Sequence, residues 1–136
     1  MELNDQQVEA FDTALDAHAR FRRAFGRPLS PDFVAELHVA RELSLSVAEN
    51  TNTPGYDATD FDGAKYQIKL RDAKTQNVDV NNFDFDYLVL VILDDDYRLA
   101  ELWRMTVNRA RDVFVRRKSK FQATQAKVKL ASKRIK

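Results

Sequence analysis

The chain has 136 residues, 44% of them apolar and 32% charged, with a formal net charge of +1. That size and balance fit one globular domain and exclude both a large multidomain enzyme and a disordered chain. The absence of cysteine excludes disulfides, thiolate metal sites and a thiol nucleophile; His18 and His38 alone exclude an all-histidine metal centre.

The near-zero net charge hides an asymmetry. Residues 1–108 carry 11 Lys and Arg against 20 Asp and Glu, whereas 109–136 carry 11 Lys and Arg against the single Asp112. A basic segment on an acidic body suits a polyanionic partner, or docking on the body's own acids or on another subunit. The longest apolar run, Tyr87 to Leu93, is too short for a membrane span, and the first residues are polar and acidic. A soluble, cytoplasmic protein is the expectation.

In chain order, residues 4–25 read as a helix, because Val8, Phe11, Leu15, His18, Arg22 and Phe25 recur at steps of three and four. Gly26 and Pro28 end it. Ser30 then offers an N-cap before Pro31, predicting a second helix to about Leu43. Residues 46–54, with Asn50, Asn52 and Pro54, read as a loop. From Gly55 the period becomes two: Tyr56 and Ala58, then Tyr66, Ile68 and Leu70, alternate with polar residues around an Asp62-Gly63 turn. A polar loop over 72–82 follows. Phe85 to Leu93 is nearly continuous apolar sequence, the mark of a strand covered on both faces. Asp94, Asp95 and Asp96 form a turn into a strand over Tyr97 to Met105. Residues 106–118 read as a helix, and Ala126 to Leu130 alternates with Lys as an edge strand would. The sum is an α/β (α+β) fold with a mixed central sheet flanked by helices.

Two details point to chemistry. A three-residue turn, Phe61-Asp62-Gly63, pairs Asp57 with Gln67 and puts every apolar residue of the hairpin on one face. Asp57, Gln67 and Lys69 then share the other face; a one-residue slip would scramble the pattern. In the second helix, at about 100° per residue, Glu36 falls inside the apolar arc between Leu43 and Ala40. A carboxylate there needs a cation or a hydrogen-bond network.

Glu36 in a helix, then Pro54-Gly55-Tyr56-Asp57, Asp62-Gly63 and Gln67-Ile68-Lys69, resemble the PD-(D/E)xK nuclease superfamily. The resemblance is to its Mrr-type, restriction-endonuclease-like branch, where Gln-x-Lys replaces the acidic motif, and it spans roughly residues 30–105. It implies a restriction-endonuclease-like core with an added N-terminal helix (1–28) and a basic C-terminal helix and tail (106–136), all in one domain. It also implies Mg²⁺- or Mn²⁺-dependent hydrolysis of phosphodiester bonds, in DNA rather than RNA. Asp57 would bind the metal directly, Gln67 would present its carbonyl, and Glu36 would bind the metal or hold its water. Lys69 would orient or activate the attacking water and stabilise developing charge. A homodimer, or membership of a larger defence or repair complex, is the expected setting.

Arg71 shares the Lys69 face and would touch phosphate, as would Arg116, Arg117, Lys118 and Lys120 in the basic segment. Each of these residues has a plainer reading. Asp57 can satisfy loop amides, Lys69 can pair with Asp57, and the basic run can be a solvated tail. Asp84 and Asp86 read as strand-start residues, His18 and His38 as packing or surface groups, and Trp103 as core. The alternative function is a catalytically silent module that keeps the fold and binds nucleic acid or protein.

Overall fold

Residues 1–49, 56–72 and 77–136 are described by the computed structural model. Asn50, Asn52, Pro54, Gly55 and Lys74 lie outside them. The chain divides into two units, Met1–Ser30 and Pro31–Lys136. The first is built on α1 (Asp5–Phe25). Its start is a capping box. The Asn4 side chain accepts from the Gln7 N–H at 2.8 Å, and the Gln7 side chain accepts from the Asn4 N–H at 3.0 Å. Gly26 closes the other end with φ +73°, donating its N–H to the Arg22 carbonyl. No residue of α1 is buried.

The second unit begins with α2 (Pro31–Leu43), as the Ser30-Pro31 signal predicts. Among the described residues the strands are β1 (Ser46–Val47), β2 (Ala58–Thr59), β3 (Lys65–Leu70), β4 (Asn77–Val80), β5 (Tyr87–Leu93), β6 (Leu99–Thr106), β7 (Val115–Arg117), β8 (Lys120–Thr124) and β9 (Lys133–Arg134). Two short helices, α3 (Val107–Val113) and α4 (Gln125–Ala131), sit among the last of them. The main sheet runs β1-β2-β3-β5-β6-β9, and a second runs β4-β8-β7. Among the described residues, β3 and β5 pair in parallel and the other ladders are antiparallel. The connection between these parallel neighbours carries β4 into the second sheet.

β5 explains the layering. Its side chains alternate between two cores. Val89 and Val91 join Ala35 and Val39 of α2, with Ala58, Tyr66, Ile68 and Leu102. Leu88 and Leu90 join Val78, Val80 and Ala123 of the second sheet, with Ala110, Phe114 and Val128 from the later segments. Each buried Leu or Val contributes roughly 1.5–3 kcal/mol, which is why this apolar run takes the centre. Asp86 anchors its start: one carboxylate oxygen accepts from the Lys65 N–H at 2.8 Å. After it, Asp94 accepts from the Asp96 and Arg98 amides, both at 2.9 Å, and shapes the turn. His38 supports the same turn, donating from Nε2 to the carbonyl of Tyr97, whose φ is +61°.

The β2–β3 hairpin has the expected register, with Ala58 opposite Tyr66 and Thr59 opposite Lys65. Gly63 takes φ +82°, and Asp60 accepts through its side chain from the Asp62 and Ala64 amides. A Cβ at Gly63 meets nothing within 4 Å, so the cost of Gly63→Ala is backbone strain alone. That variant is expected to lose about 1–2 kcal/mol, read as a lower urea midpoint with unchanged slope.

Four segments depart from the sequence expectations. Ser46–Val47 pairs as a strand within the expected 46–54 loop. Asn77–Val80 is a strand, not part of a loop, because Val78 and Val80 reach the second core. The helix expected over 106–118 stops at Val113, where Phe114 turns into the core and the chain enters a hairpin. The edge strand expected at Ala126–Leu130 is α4 instead. Thr124 caps it by accepting from the Lys127 N–H, Gln125 and Val128 are buried one turn apart, and Leu130 points to solvent at 89% exposure. The C-terminal basic segment is therefore two helices and three strands, not a helix with a tail.

Candidate active site

The site forms where a ladder stops. Among the described residues, β2 pairs with β3 through Ala58 and Thr59, and Asp57 meets the β3 edge just beyond them. Asp57 fills this edge in two ways. Its backbone N–H donates to the Tyr66 carbonyl at 2.8 Å. Its carboxylate accepts from the Ile68 N–H at 2.8 Å, standing in for a strand carbonyl.

Alternation along β3 does the rest. Tyr66 and Ile68 face the core shared with α2, so Gln67 and Lys69 project to the opposite face. The parallel ladder sets them beside Leu88 and Leu90. The first turns of α2, packed on the Tyr66 and Ile68 face, bring Asp32, Ala35 and Glu36 to the same place. A cleft of about 270 Å³ results, lined by Asp32, Ala35, Glu36, Asp57, Gln67, Ile68, Lys69, Leu70 and Arg71. Glu36, Asp57, Gln67, Lys69 and Arg71, singled out from three separate stretches of sequence, thus border one cavity. Glu36 is half-buried beside the fully buried Ala35, in line with its place on the apolar arc.

Electrostatics centre on Lys69. Burial pushes its ammonium below the usual lysine value, and the nearby Arg71 and Lys120 push the same way against Asp79 and Asp57. Asp79, on β4, balances this cluster. Its carboxylate meets the Arg71 guanidinium at 2.6 Å and the Lys120 ammonium at 3.4 Å. Burial alone would raise the Asp79 carboxyl, but Lys69, Arg71 and Lys120 together hold it below the usual value. Arg71 is fixed further by the carbonyls of Leu70 and Asn77, at 2.7 and 2.9 Å. Its guanidinium is therefore a rigid wall of the cleft.

Removing Asp79 should show in stability. Asp79→Ala leaves Arg71 and Lys120 without their acceptor and is expected to cost about 1–2 kcal/mol. The folded carboxyl titrates below its unfolded value. Its contribution is thus present above about pH 4 and fades as pH falls through the depressed value. Urea melts of both proteins at pH 7 and at pH 2.5 check this: the gap between them should narrow in acid.

Sequence reasoning missed Asp32 and Asp79. Asp32 lies four residues before Glu36, one turn along the same helix face, and that spacing could have found it. Asp79 carried no local signal, because only the second sheet brings β4 under Lys69.

The remaining basic candidates lie on the β7–β8 hairpin. Arg116 and Arg117 belong to β7, Lys118 has φ +56° in the turn, and Lys120 opens β8; all are exposed. Asp79 links this hairpin to the cleft through Lys120 and Arg71. Trp103 is half-buried, donates to Glu101 at 3.0 Å and lies beneath Lys129 and Arg134.

Among the described residues, no group of three or more Asp, Glu or His side chains is arranged to hold a metal ion. The donors closest to the pattern read from sequence are two carboxylates, Glu36 and Asp57, and the Gln67 amide. All offer oxygen, which suits Mg²⁺ better than a softer metal. Among the described residues, no helix is long and apolar enough to cross a membrane. No protein-family model and no curated protein matches the chain.

Proposed function

We propose that the cleft is a Mg²⁺-dependent phosphodiester-hydrolysing centre acting on DNA, on a restriction-endonuclease-like core. The observation that carries this reading is the convergence of Glu36, Asp57, Gln67 and Lys69 on one cavity. In support of such a core, α2, β1, β2 and β3 precede a strand parallel to β3.

Asp57, Gln67 and Glu36 would hold the metal, which when bound supplies Lewis-acid activation of the phosphate and of water. Asp57 is pre-set for this by its bond to the Ile68 amide, which limits its rotamers before any ligand arrives. Lys69 would orient the attacking water. A lysine held below its usual value is neutral in a larger fraction of molecules than a solvated one, so more of it is free to take a proton. Once protonated, it would stabilise negative charge developing on the phosphate. Arg71, braced by Asp79, would contact a phosphate oxygen without reorganising. The exposed Arg116, Arg117 and Lys118 would follow the backbone of the nucleic acid, with Lys120 shared between phosphate and Asp79.

One feature favours a second reading. Gln67 stands where an acid would add charge, and an amide binds a divalent cation more weakly. A catalytically silent nucleic-acid-binding module would retain the basic hairpin and lose the cleavage. Incubation with supercoiled plasmid and with linear single- and double-stranded DNA, in Mg²⁺, Mn²⁺ or EDTA, separates the two. Metal-dependent nicking or linearisation supports hydrolysis. Salt-sensitive binding with intact DNA supports the silent module.

A further inference from the structure

We propose that a cavity at one end of the second sheet is a further phosphate-binding subsite, taking a backbone phosphate of the nucleic-acid strand that enters the cleft, and so resting on the nucleic-acid reading of that cleft. The cavity holds about 190 Å³ and lies where β4, β7 and β8 meet the start of α4. Two cations border it, Arg117 from β7 and Lys127 from α4. Among the described residues, neither side chain is hydrogen-bonded or ion-paired. Among the described residues no Asp or Glu borders the cavity, and residues 50–55 and 73–76, outside them, hold none. Two like charges facing one space repel each other, and an anion between them relieves that repulsion.

The ladders set out the neutral part of the site. Phe121 and Ala123 turn toward the core, so Gln122 and Thr124 take the outer face of β8. Val115 stands opposite Gln122, and Asn77 stands opposite Thr124. Thr124 accepts from the Lys127 N–H at 3.2 Å, which leaves its hydroxyl proton to donate outward. The Asn77 and Gln122 amides, which also border the cavity, add N–H donors. A phosphate offers oxygens enough for all of these groups, and a guanidinium meets two of them at once. A carboxylate, with two oxygens, satisfies fewer.

Position makes the phosphate part of a nucleic acid and not a free ion. Arg71 borders the cleft and meets Asp79 at 2.6 Å. Asp79 stands opposite Gln122 in the β4–β8 ladder, and Gln122 borders the second cavity. Asp79 is thus the divide between the two cavities. Its charge, which would repel a passing phosphate, is covered by Arg71 and Lys120. Neighbouring strands lie about 4.8 Å apart, so a nucleic-acid strand leaving the cleft over Arg71 reaches Lys120 and then the second cavity. The two linings differ in kind. Asp32, Glu36 and Asp57 border the cleft, where a metal would sit, whereas the charged groups of the second cavity are cations, fitted to hold phosphate without cutting it.

Titration of a short fluorescent duplex DNA with the full chain in EDTA, where no metal-dependent cleavage intervenes, tests the subsite. Arg117→Ala with Lys127→Ala should weaken binding by about tenfold or more, and the slope of log affinity against log salt should become shallower by about one, the value for one phosphate. Gln122→Glu keeps the shape of the side chain, sets an acid in the cavity and should weaken binding by a similar factor. Arg98→Ala with Lys133→Ala removes the same charge from exposed positions in a turn and an edge strand of the main sheet. That control pair should change affinity by less than about threefold. The plasmid assay run beside it keeps the two claims apart. Weakened binding in the cavity variants, with no cleavage by wild type, ends the hydrolytic reading and leaves the subsite. Metal-dependent cleavage by wild type, with cavity variants that lose no more affinity than the control pair, overturns the subsite alone. Inorganic phosphate that binds wild type while the cavity variants bind DNA unchanged marks a free-ion site and overturns it too. A wild type that binds no DNA overturns both.

Discussion

Replacing Lys69 with Met is expected to lower metal-dependent plasmid cleavage by about 10²–10³-fold, the range for removing one preorganised charge-stabilising group, while leaving the protein at least as stable. The two halves of this result have one cause. Lys69 is placed where burial penalises its charge. Its folded value lies below its unfolded one, so at neutral pH the charged side chain opposes folding. That penalty lifts as pH rises through the depressed value toward the unfolded one, about 10.4. Methionine keeps the stem and removes the charge. Asp79 keeps Arg71 and Lys120 as partners, so no acid is orphaned. A Tm unchanged or higher by roughly 3 °C is expected. The same shift predicts a pH profile. Cleavage should rise with pH as Lys69 deprotonates below the usual lysine range, and Lys69→Arg, which cannot deprotonate, should remove that limb. A large fall in Tm for Lys69→Met would make the lysine a structural ion-pair partner instead.

Asp57 separates charge from scaffold. Asp57→Ala removes the acceptor of the Ile68 N–H on β3. It should cost about 1–3 kcal/mol, so lost activity in that variant has two explanations. Asp57→Asn keeps an acceptor oxygen of the same shape and loses only the charge. It is expected to fold with a Tm near wild type and to lose cleavage as completely as the alanine variant. Raising Mg²⁺ should not restore it, whereas Mn²⁺, which binds neutral donors better, should restore a part. Full activity in Asp57→Asn would remove Asp57 from the metal-holding set.

The hairpin and its site were legible because one face is buried. Tyr66, Ile68 and Ala58 could share the core only in one register, and Gly63 supplies the left-handed turn that register needs. Glu36 was legible as a carboxylate inside an apolar arc. What was not legible depends on contacts distant in sequence. Val78 and Val80 are two apolar residues in a polar stretch, and only the second sheet makes them a strand. Ala126, Val128 and Leu130 alternate as a strand would, yet the Thr124 cap and the burial of Gln125 and Val128 make a helix. Asp79 joins the cleft's electrostatics through that same second sheet, and no spacing along the chain announces it. Reading α1 as a helix was local, and its extent follows from the Asn4 cap and the Gly26 stop.

The most direct test is a side-by-side cleavage time course on supercoiled plasmid. Wild type, Lys69→Met and Asp57→Asn would be purified identically, matched by circular dichroism and run in Mg²⁺ and in EDTA. The expected result is nicked or linear DNA for wild type in Mg²⁺ alone, with both variants folded and at background. Equal cleavage by all three, or cleavage that persists in EDTA, would contradict a metal-dependent centre built on Asp57 and Lys69.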